Sequence, residues 1–219
     1  MSWVPSMGEQ ALAILREHYR HAASELQYTS PLQLLVAVIL SAQSTDRQVN
    51  QVTSKLFALC PDAATLAATP LPQLEELIKG VGLYRHKAKH LQEMARILLA
   101  KHQGEVPTTF TELEALPGVG HKTAGVVLSI AYNIPALPVD THVFRVANRT
   151  GLGEGKTVAA VEASLTRWIP QEDWAKAHHW LLHHGRYCCT ARNPHCPTCP
   201  IAQLCKERIS PKEDLKYSV

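Results

Sequence analysis

Apolar positions recur at spacings of three and four residues along nearly the whole chain, the period of helices packed on one face. Ser30-Pro31 joins a capping residue to a proline at the first helical position, which predicts a buried helix over Leu32–Ala42. Thr45-Asp46 opens the next helix, running to about Leu59, and Pro72–Lys79 reads as a short one. Arg85–His102 is predicted to be long, with Leu91, Met94, Ala95, Leu98 and Leu99 on one face and Gly104 just past its end. Thr111–Leu116 is short, and His121–Tyr132 is apolar enough to be buried. Thr141–Arg149, Lys156–Trp168 and Glu172–His184 complete the set. No segment alternates with period two, and no Asn-Gly or Asp-Gly hairpin signal occurs. The expectation is an all-α fold.

At 219 residues and 46% hydrophobic, the chain can build one large domain or two small ones. Its formal charge of +3 admits a nucleic-acid partner without requiring one. The longest apolar run, Leu34–Leu40, is too short to cross a membrane, and Met1–Gln10 lacks the pattern of a secretory signal. A cytoplasmic protein is expected, and the lack of a heptad seam points to a monomer. In the cytoplasm six cysteines do not read as a disulfide framework. Cys60 stands alone, while the other five fall between positions 188 and 205. The pattern Cys189-x6-Cys196-x2-Cys199-x5-Cys205 suits a [4Fe–4S] cluster or a tetrahedral zinc. It has a single Cys-x2-Cys knuckle where zinc sites mostly use two, so the spacing favours the cluster. Cys188 is left over and reads as a buried thiol. Arg186, Arg192, Lys206 and Arg208 flank the loop, either as solvated surface or as a phosphate-facing lobe.

A glycine turn appears twice. Gly80-Val81-Gly82 and Gly118-Val119-Gly120 each follow a helix, and each is trailed by a His-Lys pair, His86-Lys87 and His121-Lys122. Two glycines in a turn permit positive φ and leave backbone N–H groups uncovered, which with the positive end of the next helix makes an anion site. A DNA phosphate fits such a site without being read for sequence. A lone Gly-x-Gly is more often an ordinary turn. The longer string Leu116-Pro117-Gly118-Val119-Gly120-His121-Lys122-Thr123-Ala124 points instead to a helix-hairpin-helix DNA-binding motif, with Gly80–Gly82 the weaker copy. Lys122 is either a phosphate contact or a nucleophile. The second role needs a neutral amine, so the ammonium must lose its proton more easily through burial or cationic neighbours. Asp140 reads first as the N-cap of Thr141–Arg149. A fixed carboxylate there could also stabilise a sugar carrying positive charge, or deprotonate an attacking group. One helix and a return loop containing Pro135 and Pro138 connect Lys122 to Asp140.

From about residue 8 to 208 the chain resembles the endonuclease III family of helix-hairpin-helix glycosylases. The resemblance rests on the strings LSAQSTD at 40–46, VGLYRHKA at 81–88, LPGVGHKTA at 116–124, PVDTHVFRVANRTG at 138–151 and HHGRYCC at 183–189, together with the cysteine spacing. It implies a bifunctional glycosylase/lyase of base excision repair, associated with the nucleoid. Its substrate would be double-stranded DNA bearing an oxidised pyrimidine or an abasic site, nicked by β-elimination. Lys122 would be the Schiff-base nucleophile and Asp140 the essential carboxylate. Cys189, Cys196, Cys199 and Cys205 would hold one [4Fe–4S] cluster. Gln43 would fill the gap left by a flipped base, Leu83 would wedge into the opposite strand, and Gly118, Val119, Gly120 and His142 would lie against DNA. The implied architecture has two helical lobes with a DNA-binding cleft between them. One is a six-helix domain over 24–133. The other is an iron–sulfur domain built from an N-terminal helix within 1–23 and from 134–219.

Three positions depart from the family pattern. His121 stands where arginine is common, Gly125 where asparagine is common, and Cys188 where no cysteine is expected. Gly125 could change pocket volume and substrate range. An adenine-specific mismatch glycosylase of the same superfamily is the nearest rival, although such enzymes usually lack the lysine at 122. A non-catalytic iron–sulfur DNA-binding protein would have no reason to keep Lys122 and Asp140 together, and a zinc-stabilised DNA-binding domain would lack the cluster.

Overall fold

The computed structural model describes residues 5–207. Its helices, in chain order, are α1 (Pro5–His18), α2 (Pro31–Ser41), α3 (Asp46–Leu59), α4 (Ala63–Ala68), α5 (Leu71–Leu77), α6 (Tyr84–His102), α7 (Phe110–Glu114), α8 (His121–Ala131), α9 (Thr141–Thr150), α10 (Val158–Thr166) and α11 (Trp174–Tyr187). Short 3-10 turns occupy Gln171–Asp173 and Cys196–Thr198. Among the described residues there is no strand, as an all-α fold requires, and no helix is long and apolar enough to cross a membrane.

Capping decides most of the boundaries. Ser30 Oγ accepts the Gln33 N–H at the start of α2, and Thr45 with Gln48 forms a reciprocal capping box on α3. The stretch expected over Lys156–Trp168 is shorter as a helix, because Thr157 is itself the cap and accepts the Ala160 N–H. The last predicted helix begins later and ends later than expected: a 3-10 turn precedes α11, which runs on to Tyr187. Two helices, α1 and α4, have no counterpart in the periodicity reading.

The chain divides into two compact units, one of residues up to Ala23 with those from Val139 onward, the other Ser24–Pro138. In the second unit α2 is buried from Leu34 to Leu40 and packs on α3, α6 and α8. Its core gathers Leu35, Leu40, Leu56, Leu74, Leu91, Met94, Leu98, Leu113 and Val127. Each large side chain removed from water contributes about 1.5–3 kcal/mol, which favours this packing over any local preference. In the first unit α9 presents Val143, Val146 and Ala147 to its neighbour α11, whose Ala177, Trp180 and Leu181 are buried. The buried Leu15 of α1 belongs to a helix packed on α11, and α10 packs on α9.

Candidate functional site

In the Ser24–Pro138 unit, the turn between α7 and α8 carries the predicted Gly118, Val119, Gly120 and Lys122. Gly118 has φ +80, and a Cβ there would lie 3.1 Å from His90 Nδ1, so both backbone and packing demand glycine. Val119 is buried and its N–H donates to Leu116 O (3.1 Å), which fixes the turn. Gly120 is extended and has nothing within 4 Å of an added Cβ, so the chain is open to close approach at this point. As the N-cap of α8 it supplies no side chain to close the first helical turn. Lys122, the second residue of α8, is exposed. Of the two ways expected to free its amine, burial or cationic neighbours, burial is not what its setting supplies.

Two of the family departures acquire a setting here. The His121 ring stacks on Phe110 with centroids 4.8 Å apart, and its Nδ1 lies 2.7 Å from Glu114 Oε1. The ring is thus tied back to α7. Gly125 is buried, and a Cβ would meet Pro138 Cγ at 3.1 Å and the Phe110 ring at 3.7 Å. The space that a larger residue would take lies against Pro138.

The second glycine turn is built differently from the first. The Gly82 N–H donates to Ser44 Oγ (3.0 Å), and a Cβ on Gly82 would lie 2.9 Å from Gln43 O. The Gly82 N–H is thus already taken by a protein hydroxyl. Its lysine, Lys87, is buried, in contrast to Lys122. Gln43 and Leu83 are both left-handed, at φ 55 and 56. Gln43 is exposed, and Leu83 is 57% exposed, a large apolar side chain held in water.

In the other unit Asp140 caps α9. Its Oδ1 accepts the N–H groups of His142 and Val143, both at 2.8 Å. His142 Nδ1 lies 3.2 Å from an Arg145 guanidinium nitrogen. Arg145 and Arg149, one turn apart on α9, reach the cysteine loop. Arg145 donates to Gly185 O (2.8 Å) and Cys189 O (3.0 Å); Arg149 donates to Thr190 O (2.8 Å) and Ala191 O (2.9 Å) and sits 3.8 Å from Cys189 Sγ. The far end of the loop returns to the same helix, where the Lys206 and Glu207 N–H groups donate to Thr150 O and Arg149 O. The four-residue spacing of these arginines was a usable signal that the sequence reading did not take up. Lys206 pairs with Glu154, and Arg208 lies outside the described residues.

Cys189, Cys196, Cys199 and Cys205 line one pocket, together with Cys188, His184 and Arg149. Donor atoms of His184, Cys188 and Cys199 all lie within 4.8 Å of one another. Burial, reinforced by neighbouring thiols, pushes the Cys205 thiol up to about 11 and Cys188 to about 12, and burial also raises Cys199. These thiols hold their protons unless a concentrated positive charge is placed among them, which is what iron supplies. Four cysteines lining one pocket, two of them (Cys199 and Cys205) holding their protons until a cation draws out the thiolate, fit an iron–sulfur cluster, and Cys188 is the buried thiol expected.

Fold and site together define a base excision DNA repair protein: residues 36–171 match the HhH-GPD superfamily base excision DNA repair protein model, and residues 189–205 match the iron-sulfur binding domain of endonuclease III. The chain is 48% identical to endonuclease III of Haemophilus influenzae and 46% identical to that of Escherichia coli, in each case over 91% of this chain and 96% of the relative. It superposes on a trapped endonuclease III–DNA covalent intermediate with a TM-score of 0.90 and 42% identity, covering 94% of this chain and 97% of that one. The chain belongs to the endonuclease III family. It is a DNA glycosylase with abasic-site lyase activity, and its cofactor is one [4Fe–4S] cluster.

Proposed function

We propose that this enzyme removes oxidised pyrimidines, such as thymine glycol, from double-stranded DNA and nicks the resulting abasic site through Lys122. It acts as a monomer at the nucleoid. The observation that carries the reading is the start of α8, where an open glycine turn with no side-chain cap stands two residues before Lys122. Support comes from the similar chain that was trapped covalently on DNA.

The chemistry follows from the residues. The Lys122 ammonium gives up one proton to a base, the freed Nζ electron pair bonds to the sugar C1′, and Asp140 is the carboxylate whose charge the positive sugar requires. The N-glycosidic bond breaks, its electrons leaving with the base, which picks up a proton. The C1′–O4′ bond then opens, O4′ takes the second amine proton, and a Schiff base remains. Loss of a C2′ proton forms the C2′–C3′ double bond and expels the 3′ phosphate. Water hydrolyses the imine and returns Lys122. Flipping the nucleotide out of the stack exposes C1′, with Gln43 filling the gap, Leu83 wedging the other strand, and Gly118, Val119, Gly120 and His142 along the DNA. Cys189, Cys196, Cys199 and Cys205 ligate the cluster, which holds the cysteine loop in shape; Arg145 and Arg149 tie that loop to the helix Asp140 caps.

Incubation with two duplexes tests the substrate class. Release of thymine glycol with no release of adenine opposite 8-oxoguanine is expected. Efficient adenine release without thymine glycol release would make the enzyme an adenine mismatch glycosylase.

A further inference from the structure

Among the described residues, Lys87 is a buried lysine that the lyase chemistry does not use. It lies on the first turn of α6 at 5% exposure, and its amine points back to the C-terminal end of α2. There it donates to Leu40 O (2.8 Å), to Ala42 O and to Ser44 Oγ (3.3 Å). The last carbonyls of a helix have no partner within it and carry the negative end of its dipole. A lysine amine is therefore well matched to this end of α2, even though burial pushes its pKa down.

The same groups hold two strained residues. Gln43 lies between Ala42 and Ser44, and Leu83 follows Gly82; both side-chain-bearing residues occupy the left-handed region. Ser44 Oγ accepts from both the Gly82 N–H and Lys87, so one hydroxyl links the α2–α3 loop to the turn before α6. The absence of a Cβ at Gly82 lets that turn approach Gln43 O. Strain of this kind persists only where the surroundings fix it, and it gathers at working sites.

We propose that Lys87 and Ser44 are positioning residues: they brace the two loops so that Gln43 and Leu83 stand as a preformed wedge for opening damaged duplex. The proposal rests on the reading of Gln43 and Leu83 as DNA-contact residues. The brace spares the enzyme from ordering two loops at the moment of base flipping. It also explains why the two His-Lys echoes in the sequence have opposite fates, one lysine buried to shape a wedge and the other exposed.

The test is a mutant cycle read by single-turnover base release from a thymine-glycol duplex. A parallel readout is the fluorescence of 2-aminopurine opposite the lesion, which brightens when that base is unstacked. The proteins are wild type, Lys87→Met, Gln43→Ala/Leu83→Ala, and all three changes together. Methionine keeps the apolar stem and removes the donors. Loss of alignment at a working site costs on the order of tenfold to a hundredfold in rate, so Lys87→Met is expected to fall by about that factor and to dim the 2-aminopurine signal. Because Lys87 acts through the wedge, the triple variant is expected to be no slower than Gln43→Ala/Leu83→Ala. Losses that multiply independently would overturn the proposal, as would wild-type rate and fluorescence in Lys87→Met. If Gln43→Ala/Leu83→Ala itself matches wild type, the DNA-contact reading fails and takes the brace with it. Should Lys87→Met not fold, Ser44→Ala takes its place in the cycle under the same criteria.

Discussion

At Asp140 two roles meet in one carboxylate and can be separated by substitution. Oδ1 takes two backbone donors at the start of α9, and an asparagine caps a helix about as well as an aspartate. Asp140→Asn is therefore expected to melt within about 2 °C of wild type, while Asp140→Ala gives up about 1 kcal/mol of capping and melts about 2–4 °C lower. Both should lose base release by on the order of 10²–10³-fold, since neither retains the charge that stabilises the sugar. Near-normal base release by Asp140→Asn would reduce Asp140 to a cap. The four cysteines stand out in the sequence because their spacing carries their chemistry, whereas Lys122 and Asp140 read there equally as a phosphate contact and a helix cap. Lys87 was not legible in the same way. The string Tyr84-Arg85-His86-Lys87 looks like a solvated helix start, and only the distant end of α2 decides that its lysine turns inward.

Elements with strong local signals were readable and those without were not. The capped α2, α3 and α9 fall close to their expected bounds. α4 is six residues long with Leu66 as its one large apolar side chain, too little for a stripe, although Asp62 and Thr65 form a capping box that could have marked it. α1 came from the family resemblance and not from periodicity. α11 carries a pH signature no sequence pattern reveals. His179 Nδ1 is buried with no hydrogen-bond partner among the described residues. Burial first, then His178, His183 and Arg186, push its pKa from 6.5 down to about 3. An unfolded chain takes up that proton near pH 6.5 and the folded one only near 3. The stability contributed by the neutral ring is thus complete above about pH 6.5 and is lost as the pH falls toward 3. Urea midpoints measured from pH 7 to 4 should fall, with this histidine accounting for on the order of 2–4 kcal/mol. His179→Leu is expected to flatten that slope, and a slope equal to wild type would show that the ring does not govern it.

For the whole molecule, the all-α class and the family were readable from sequence, and the net charge of +3 is modest for a DNA enzyme. Local contacts, such as those proposed for the open Gly120 turn and its neighbouring lysine, are therefore expected to matter more than a general field. Affinity for undamaged duplex is expected to fall on the order of 10²-fold between about 50 and 200 mM salt, reflecting a few phosphate contacts. Affinity that does not change with salt would mean that DNA does not bind through its phosphates. The two turns that looked like repeats in sequence differ at this scale, one open at Gly120 and the other closed by Ser44, because what lies against each turn comes from elsewhere in the fold.

The central claim is that Lys122 forms the covalent link to DNA, and borohydride trapping on a duplex with a single abasic site tests it most directly. Borohydride reduces a Schiff base to a permanent bond, so a slow-migrating protein–DNA band reports the nucleophile itself. The band is expected with wild type and absent with Lys122→Ala. A band that persists in the variant would place the reactive amine elsewhere in the chain, and its absence from both proteins would contradict the lyase chemistry altogether.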